Sequence, residues 1–208
     1  MSHLLAIRVL QVLVSPLIVA CVLERCVGGG ERLFTACGEL LALVPGWPGS
    51  MVRKAFYAAT LRVCSERAYI GFGTVIVHRG ASVGRDVSIG PYGIIGTVRI
   101  GDGAKIASRV SITSGRYQHD PAAGGHAMAI PTFSEVRVGA GAWIGEGAIV
   151  MANVGRGAVV GAGSVVVRDV PDGATVVGNP ARQVASSTRE TGDEAASEGG
   201  PDLQVATR

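Results

Sequence analysis

Three histidines set the chemical possibilities of this chain. His119 and His126 stand in Thr113-Ser-Gly-Arg-Tyr-Gln-His-Asp-Pro-Ala-Ala-Gly-Gly-His126, and His78 stands in Ile76-Val-His-Arg-Gly-Ala81. An imidazole titrates close to neutral pH, so a histidine held near a hydroxyl or amine can take its proton. Three neutral imidazoles converging on one point would instead hold a metal ion. Asp120 neighbours His119 and is a candidate to orient it, although side chains adjacent in sequence meet poorly. The choice among these chemistries depends on the elements that carry the residues.

Those elements announce themselves by a period of six. The stretch Val138-Gly-Ala-Gly-Ala-Trp143, Ile144-Gly-Glu-Gly-Ala-Ile149, Val154-Gly-Arg-Gly-Ala-Val159, Val160-Gly-Ala-Gly-Ser-Val165 repeats an aliphatic residue followed by glycine. The beat extends upstream, with inward positions at Ile70, Ile76, Val83, Ile89, Ile95, Ile100, Ile106 and Ile112. It resumes at Val138, Ile144, Val150, Val154, Val160 and Val166. Nine of the twelve intervals within these two runs are six residues; the others are seven, five and four. Six fits neither the 3.6 period of a helix nor the alternation of a free strand. It fits a parallel β-helix in which three short strands and three corners make one triangular coil. Coils then stack at the strand-pairing distance of roughly 4.8 Å. Ala104, Val110, Ala148, Ala158 and Ser164 are expected near corners. Glycines such as Gly101, Gly103, Gly145 and Gly147 are expected to supply corner backbone angles. The fold class is mainly β, with an apolar helical segment in front.

One excursion breaks the rhythm, from 113 to 135, and a loop of that length in a compact repeat is usually functional. A shorter irregularity, Val150-Met-Ala-Asn153, is two residues short of a hexad, and the shortened coil is expected to disturb ligand binding beside it. Ser186 to Pro201 is polar and lacks large apolar side chains, so 184–208 is expected to be a disordered tail. The repeats therefore occupy 68–183 and a distinct region occupies 1–67.

That front region is apolar from Leu4 to Leu23, about the length of a bilayer span. Arg8, Gln11 and Pro16 interrupt it, so a kinked or re-entrant helix is expected. Leu33 to Val44 is a second apolar segment, too short to span, and Trp47 suits the headgroup level. Ser50 reads as an N-cap for an amphipathic helix with Val52, Ala55, Phe56, Ala59 and Val63 on one face. Arg53 and Lys54 lie opposite, as on a helix resting on an anionic membrane. Arg25, Arg32, Arg53, Lys54, Arg62 and Arg67 follow the first segment, which puts the repeats on the cytoplasmic face if that segment spans. Two other readings stay open: an export signal, with Ile18-Val-Ala-Cys21 like a lipoprotein cleavage site, and helices that merely cap the β-helix in the cytoplasm. The four cysteines, Cys21, Cys26, Cys37 and Cys64, lack zinc spacing and read as free thiols in a reducing compartment. The net charge of +3, without a basic stripe interleaved with aromatics, argues against nucleic acid. Mean hydropathy, at +0.37, is high for a soluble chain.

From Ile70 to Arg182 the chain resembles the hexapeptide-repeat acyltransferases with a left-handed β-helix, among them serine, galactoside and polysaccharide O-acetyltransferases. The resemblance rests on the hexads, the looped-out histidine, Trp143-Ile-Gly, and the ending Val160-Gly-Ala-Gly-Ser-Val-Val-Val-Arg-Asp-Val-Pro171 with Val176-Val-Gly-Asn-Pro-Ala-Arg182. The apolar front resembles that of membrane-associated members. What the resemblance implies is acyl transfer from acetyl-CoA to a hydroxyl of a sugar or glycan, in a homotrimer whose sites lie between copies. His119 falls where the family's general base falls, with His126 in reserve. Trp143 corresponds to a residue flanking the pantetheine arm, Gly161 and Ala162 to backbone contacts with it. Arg168 (a lysine in much of the family) and Arg182 correspond to contacts with the nucleotide end. No metal is implied. A membrane-tethered front favours a lipid-linked or nascent glycan, since co-localisation raises local concentration. Two other functions compete: a non-catalytic trimeric membrane scaffold, and a gamma-type carbonic anhydrase using His78, His119 and His126.

Overall fold

The computed structural model describes residues 2–28, 30–113 and 134–184. Within it each hexad buries two residues, the aliphatic one and the residue two places before it. Ile70, Ile76, Val83, Ile89, Ile95, Ile100, Ile106, Ile112, Val138, Ile144, Val150, Val154, Val160 and Val166 are all buried, as their spacing predicts. Ala104, Val110, Ala148, Ala158 and Ser164 are buried as well. They form a second inward column, a core role that the corner assignment understates. Alternation along each short strand explains it: positions i and i−2 share a face. The intervening residue points outward, so the coil interior holds one large and one small side chain per side.

The strands visit three sheets in turn. Sheet I contains Val63–Cys64, Ser82–Val83, Val98–Ile100 and Val136–Val138, continued by single bridges at Val154 and Val170. Sheet II contains Tyr69–Ile70, Ser88–Ile89, Lys105–Ile106, Trp143–Ile144, Val159–Val160 and Thr175–Val177. Sheet III contains Val75–Ile76, Ile94–Ile95, Ser111–Ile112, Ile149–Val150 and Val165–Val166. Pairing is parallel throughout, until Arg182–Val184 returns antiparallel against Thr175–Val177 and closes the far end. The result is a parallel β-solenoid.

The departures from six share a location. The steps from Ile76 to Val83, Ile95 to Ile100 and Val150 to Val154 all turn the corner from sheet III to sheet I. The step from Val166 to Val170 repeats the four-residue version directly above. The shortened rung therefore does not distort the stack. It is a regular corner held by its own ladder, with Asn153 Oδ1 accepting from Arg137 N (2.9 Å) and Asp169 Oδ1 accepting from Asn153 N (2.9 Å). The 113–135 excursion leaves from this same corner.

The glycines divide into two jobs, of which the corner angle is one. Gly147 has φ +68 and open space around its α-carbon, so it supplies a left-handed turn. Gly145 has ordinary φ, but a β-carbon on it would lie 2.5 Å from Ala162 N in the next coil. Stacking distance, not dihedral freedom, forbids a side chain there. Gly145→Ala is expected to cost about 3 kcal/mol, at the upper end for overpacking, and Gly147→Ala about 1 kcal/mol. Urea unfolding of the two variants checks the order; equal losses would contradict it.

Four helices cover the open end: α1 (Ser2–Leu13), α2 (Ser15–Cys26), α3 (Arg32–Ala42) and α4 (Gly46–Thr60). The apolar front segment is two helices that meet at a sharp bend. It breaks at Val14 and bends by 69°, with Pro16 in the first turn of α2, where its missing N–H costs nothing. No single helix among the described residues is long and apolar enough to cross a membrane. The α4 expectation needs correction. Its N-cap is Pro45, and Ser50 lies inside the helix. Arg53 is 0% exposed and Lys54 is buried, so neither basic residue faces a membrane. The reason is geometric: α4 is wedged between α1, α3 and the first coil, so most of its circumference is covered. Phe34 and Phe56 stack there and Tyr57 meets both edge to face, with ring centroids 5.3–6.1 Å apart. Tyr57 Oη accepts the Ile76 N–H (3.0 Å) and Ala42 O accepts the Gly73 N–H (2.9 Å). These bonds satisfy a terminal rung that has no coil beneath it.

All four cysteines are free. Burial first, then contact with Cys37, pushes the Cys21 thiol up to about 12, and burial pushes Cys64 up to about 12. A thiol shifted this far gives little of the reactive thiolate near neutral pH.

Candidate functional site

The corner geometry distributes the residues singled out from sequence along two edges. Trp143 projects outward from sheet II, 49% exposed, paired in register with Lys105 and Val159. Gly161 and Ala162 turn the corner from sheet II to sheet III one coil further on. The Gly161 N–H donates to Val176 O (2.8 Å) and its carbonyl accepts from Ser164 N (3.3 Å), so both its polar groups are engaged in the solenoid. Ala162 is exposed, and among the described residues none accepts its N–H. Of the two, Ala162 is the one that can offer an amide to a ligand. Arg182 opens the antiparallel closing strand opposite Val177. Val177 in turn lies over Gly161, where a β-carbon would meet Val177 Cγ1 at 2.8 Å. Gly161, Ala162 and Arg182 are thus neighbours at the II–III edge.

Arg168 is exposed at the other edge of sheet III, on the III-to-I corner. That corner is also where the chain departs at Thr113 and returns at Ser134, two coils earlier. Stacking puts these levels roughly 10 Å apart. His119, His126 and Asp120 lie outside the described residues. One chain therefore brings Trp143, Gly161, Ala162 and Arg182 to one side of sheet III, and Arg168 with the root of the histidine segment to the other.

The row facing outward from sheet III, between the two edges, is Val75, Ile94, Ser111, Ile149 and Val165, in continuous register. Ile94 and Ile149 are exposed. Sheet I differs, its outward row running Ser82, Arg99, Arg137. The spacing of the repeat could have revealed this, because Arg99 and Arg137 precede the inward residues Ile100 and Val138 at the same phase. Sequence reasoning passed over them. Glu135 bridges this row: its carboxylate takes Arg62 at 3.1 Å, Arg99 at 3.4 Å and Arg137 at 3.9 Å.

His78 is committed elsewhere. Its Nδ1 lies 2.7 Å from Glu31 Oε2 at the start of α3. Among the described residues, no group of three or more His, Cys, Asp or Glu is placed to hold a metal ion. Burial alone would raise the Glu31 carboxyl. The hydrogen bonds from His78 and the Arg79 N–H outweigh it and hold the group below its ordinary 4.5. A depressed carboxyl stabilises the fold above the unfolded value and ceases to as pH falls through the folded one. Thermal melts below pH 4.5 are expected to lose this contribution, and a Glu31→Gln variant should show a shallower fall over that window. Identical slopes would contradict the assignment.

The chain is similar to several solved structures. One is a maltose O-acetyltransferase from Clostridium difficile 630, at 24% identity over 74% of this chain and 84% of that one, with a TM-score of 0.65. Another is a galactoside acetyltransferase in complex with coenzyme A, at 21% identity over 74% and 80%, with a TM-score of 0.62. A third is a hexapeptide-repeat-containing acetyltransferase from Vibrio cholerae, at 19% identity over 74% and 90%, with a TM-score of 0.56. No protein-family model matches the chain, and no curated protein matches it. The solenoid fold expected from the hexads is thus the fold of hexapeptide-repeat acetyltransferases.

Proposed function

We propose that this chain transfers an acetyl or other short acyl group from acyl-CoA to a hydroxyl of a sugar or glycan. The observation that carries the reading is the fold shared with two sugar acetyltransferases, one of them solved with coenzyme A. The closing sequence Val160 to Arg182 supports it by folding as the last coil and its antiparallel lid. His119 is the base that takes the acceptor's proton as the hydroxyl oxygen attacks the thioester carbonyl; the coenzyme A thiolate leaves. Trp143, Ala162 and Arg182 line the pantetheine and nucleotide path, Gly161 shapes the corner beneath it, and Arg168 reaches a phosphate. A guanidinium suits that role because it binds phosphate in a two-pronged fashion.

The site is assembled between copies, in a homotrimer. Two things support this: its residues lie on both edges of sheet III, and among the described residues the row between them leaves Ile94 and Ile149 exposed. Membrane association on the cytoplasmic face is part of the same reading. In α1 the exposed Val9, Val12 and Leu13, and in α2 the exposed Val19, Val22 and Leu23, recur at i, i+3 and i+4. Each set makes one apolar stripe, as in a helix lying in a bilayer interface.

Calorimetric titration with acetyl-CoA is the direct test, with a dissociation constant expected between about 1 µM and 1 mM. Trp143→Ala should weaken it by about 5- to 10-fold, the loss of one aromatic contact. Absence of any acetyl-CoA binding by the oligomer would overturn the function.

A further inference from the structure

The outward face of sheet I carries an arrangement that neither stability nor coenzyme A binding explains. Arg99 and Arg137 stand directly opposite each other on adjacent parallel strands. Like charges in that position are destabilising. Arg62 joins them, held by Ser82 Oγ (3.2 Å) and Glu135. Among the described residues a single carboxylate, that of Glu135, serves all three guanidiniums, at 3.1, 3.4 and 3.9 Å. The cluster is thus left doubly positive. It is open to solvent: the side chains of Arg62, Arg99 and Arg137 are 50%, 56% and 73% exposed. Arg62 also lines a cavity of ≈ 370 Å³ between the helical cap and the first coil, shared with Arg25, Arg79 and the acidic Glu31. The charged row therefore leads from the open sheet into a recess under the cap.

We infer that Arg62, Arg99 and Arg137 form a binding site for a phosphate or pyrophosphate group carried by the acyl acceptor. The inference rests on the acyl-transfer reading for the word acceptor, but not for the anion. A phosphate dianion matches the surplus charge, and guanidiniums facing one another across adjacent strands can each donate two hydrogen bonds to its oxygens. Glu135 holds the guanidiniums while the site is empty and competes with the incoming anion. Coenzyme A also bears phosphates, yet Trp143, Ala162 and Arg182 lie toward sheets II and III, and Arg168, on the III-to-I corner, stands two coils beyond Arg137. A phosphate-bearing acceptor has two sources, a soluble nucleotide sugar or a polyprenyl-phosphate lipid at the bilayer beside α1 and α2.

The test is calorimetric titration of the full-length protein with inorganic pyrophosphate at 0.15 M salt. Sub-millimolar binding is expected, weakened at least tenfold in the Arg99→Gln/Arg137→Gln double variant. Glu135→Gln should tighten it several-fold, because it removes the competing carboxylate; a merely structural ion-pair cluster would not do this. Acetyl-CoA affinity should stay within twofold in all these variants. Absent pyrophosphate binding, arginine-independent binding, or a parallel loss of acetyl-CoA affinity would each overturn the inference. So would glucuronate binding as tightly as pyrophosphate. Arginine-dependent binding of UDP-glucose identifies the soluble source, and arginine-dependent binding to vesicles containing polyprenyl phosphate identifies the lipid one; dependence with neither overturns it. Failure of the acyl-transfer reading shows separately, as wild-type protein that binds no acetyl-CoA.

Discussion

His119→Ala is expected to lower acetyl transfer by about 10²- to 10⁴-fold while leaving the acetyl-CoA dissociation constant within about twofold. The size follows from the chemistry. A sugar hydroxyl must lose its proton as it attacks, and at neutral pH only a group titrating nearby can take that proton without itself being a poor base. The selectivity for rate over binding follows from position. The segment bearing His119 leaves from the III-to-I corner, whereas Trp143, Ala162 and Arg182 lie toward sheet II and its other edge and Arg168 stands two coils beyond that departure. Removing the imidazole should therefore take away a transition-state interaction and not a ground-state one. The rate in wild type should rise with pH through the histidine range, and that limb should vanish in the variant. Unchanged turnover in His119→Ala, with a loss in His126→Ala, would move the base to His126. Unchanged turnover in both would remove the loop histidines from the mechanism.

The repeat was legible because it is enforced at every coil. Each inward aliphatic stacks on its counterpart, so a polar residue at Ile106 or Val160 would disturb two neighbours, and the spacing survives in the letters. The sites of irregularity were visible too, but not their common address. Intervals of seven, five and four look unrelated in sequence; only the assignment of strands to sheets shows that one corner absorbs them all. The same limit hid the arginine row. Arg99 and Arg137 are separated by the excursion, so nothing local ties them together, although counting phase from Ile100 and Val138 would have made them neighbours. The candidate site was legible as a set of residue types, with its partition between two edges of sheet III left to the fold.

The departure of α4 from its expected surface position has a physical reason that gives the largest stability prediction. An arginine and a lysine opposite an apolar stripe suggest a helix on a charged surface, because burying a guanidinium is costly. Arg53 is buried nonetheless, and burial pulls its pKa down. What compensates is a set of three carbonyls, of which only Leu41 O has another donor among the described residues, the Val44 N–H at 3.3 Å. Arg53 Nη1 reaches Val44 O at 2.7 Å and Leu41 O at 3.1 Å, both at the end of α3, where carbonyls lack intrahelical partners. Its Nε reaches Ile70 O at 3.2 Å, on the first rung of sheet II, where the solenoid has no coil below. One side chain thus ties the end of a helix to the open end of a β-helix. Replacing it with methionine keeps most of the volume and removes every donor. Each stranded carbonyl costs about 1–3 kcal/mol, offset in part by the relief of a buried charge. The net expectation for Arg53→Met is a loss of about 3–4 kcal/mol in urea unfolding, against less than about 0.5 kcal/mol for Arg25→Met on the exposed side of α2. If α4 instead rested on a membrane, Arg53→Met would leave stability unchanged and weaken binding to anionic vesicles. A stability loss below about 1 kcal/mol would therefore restore the surface reading of this helix and contradict its role as the latch of the cap.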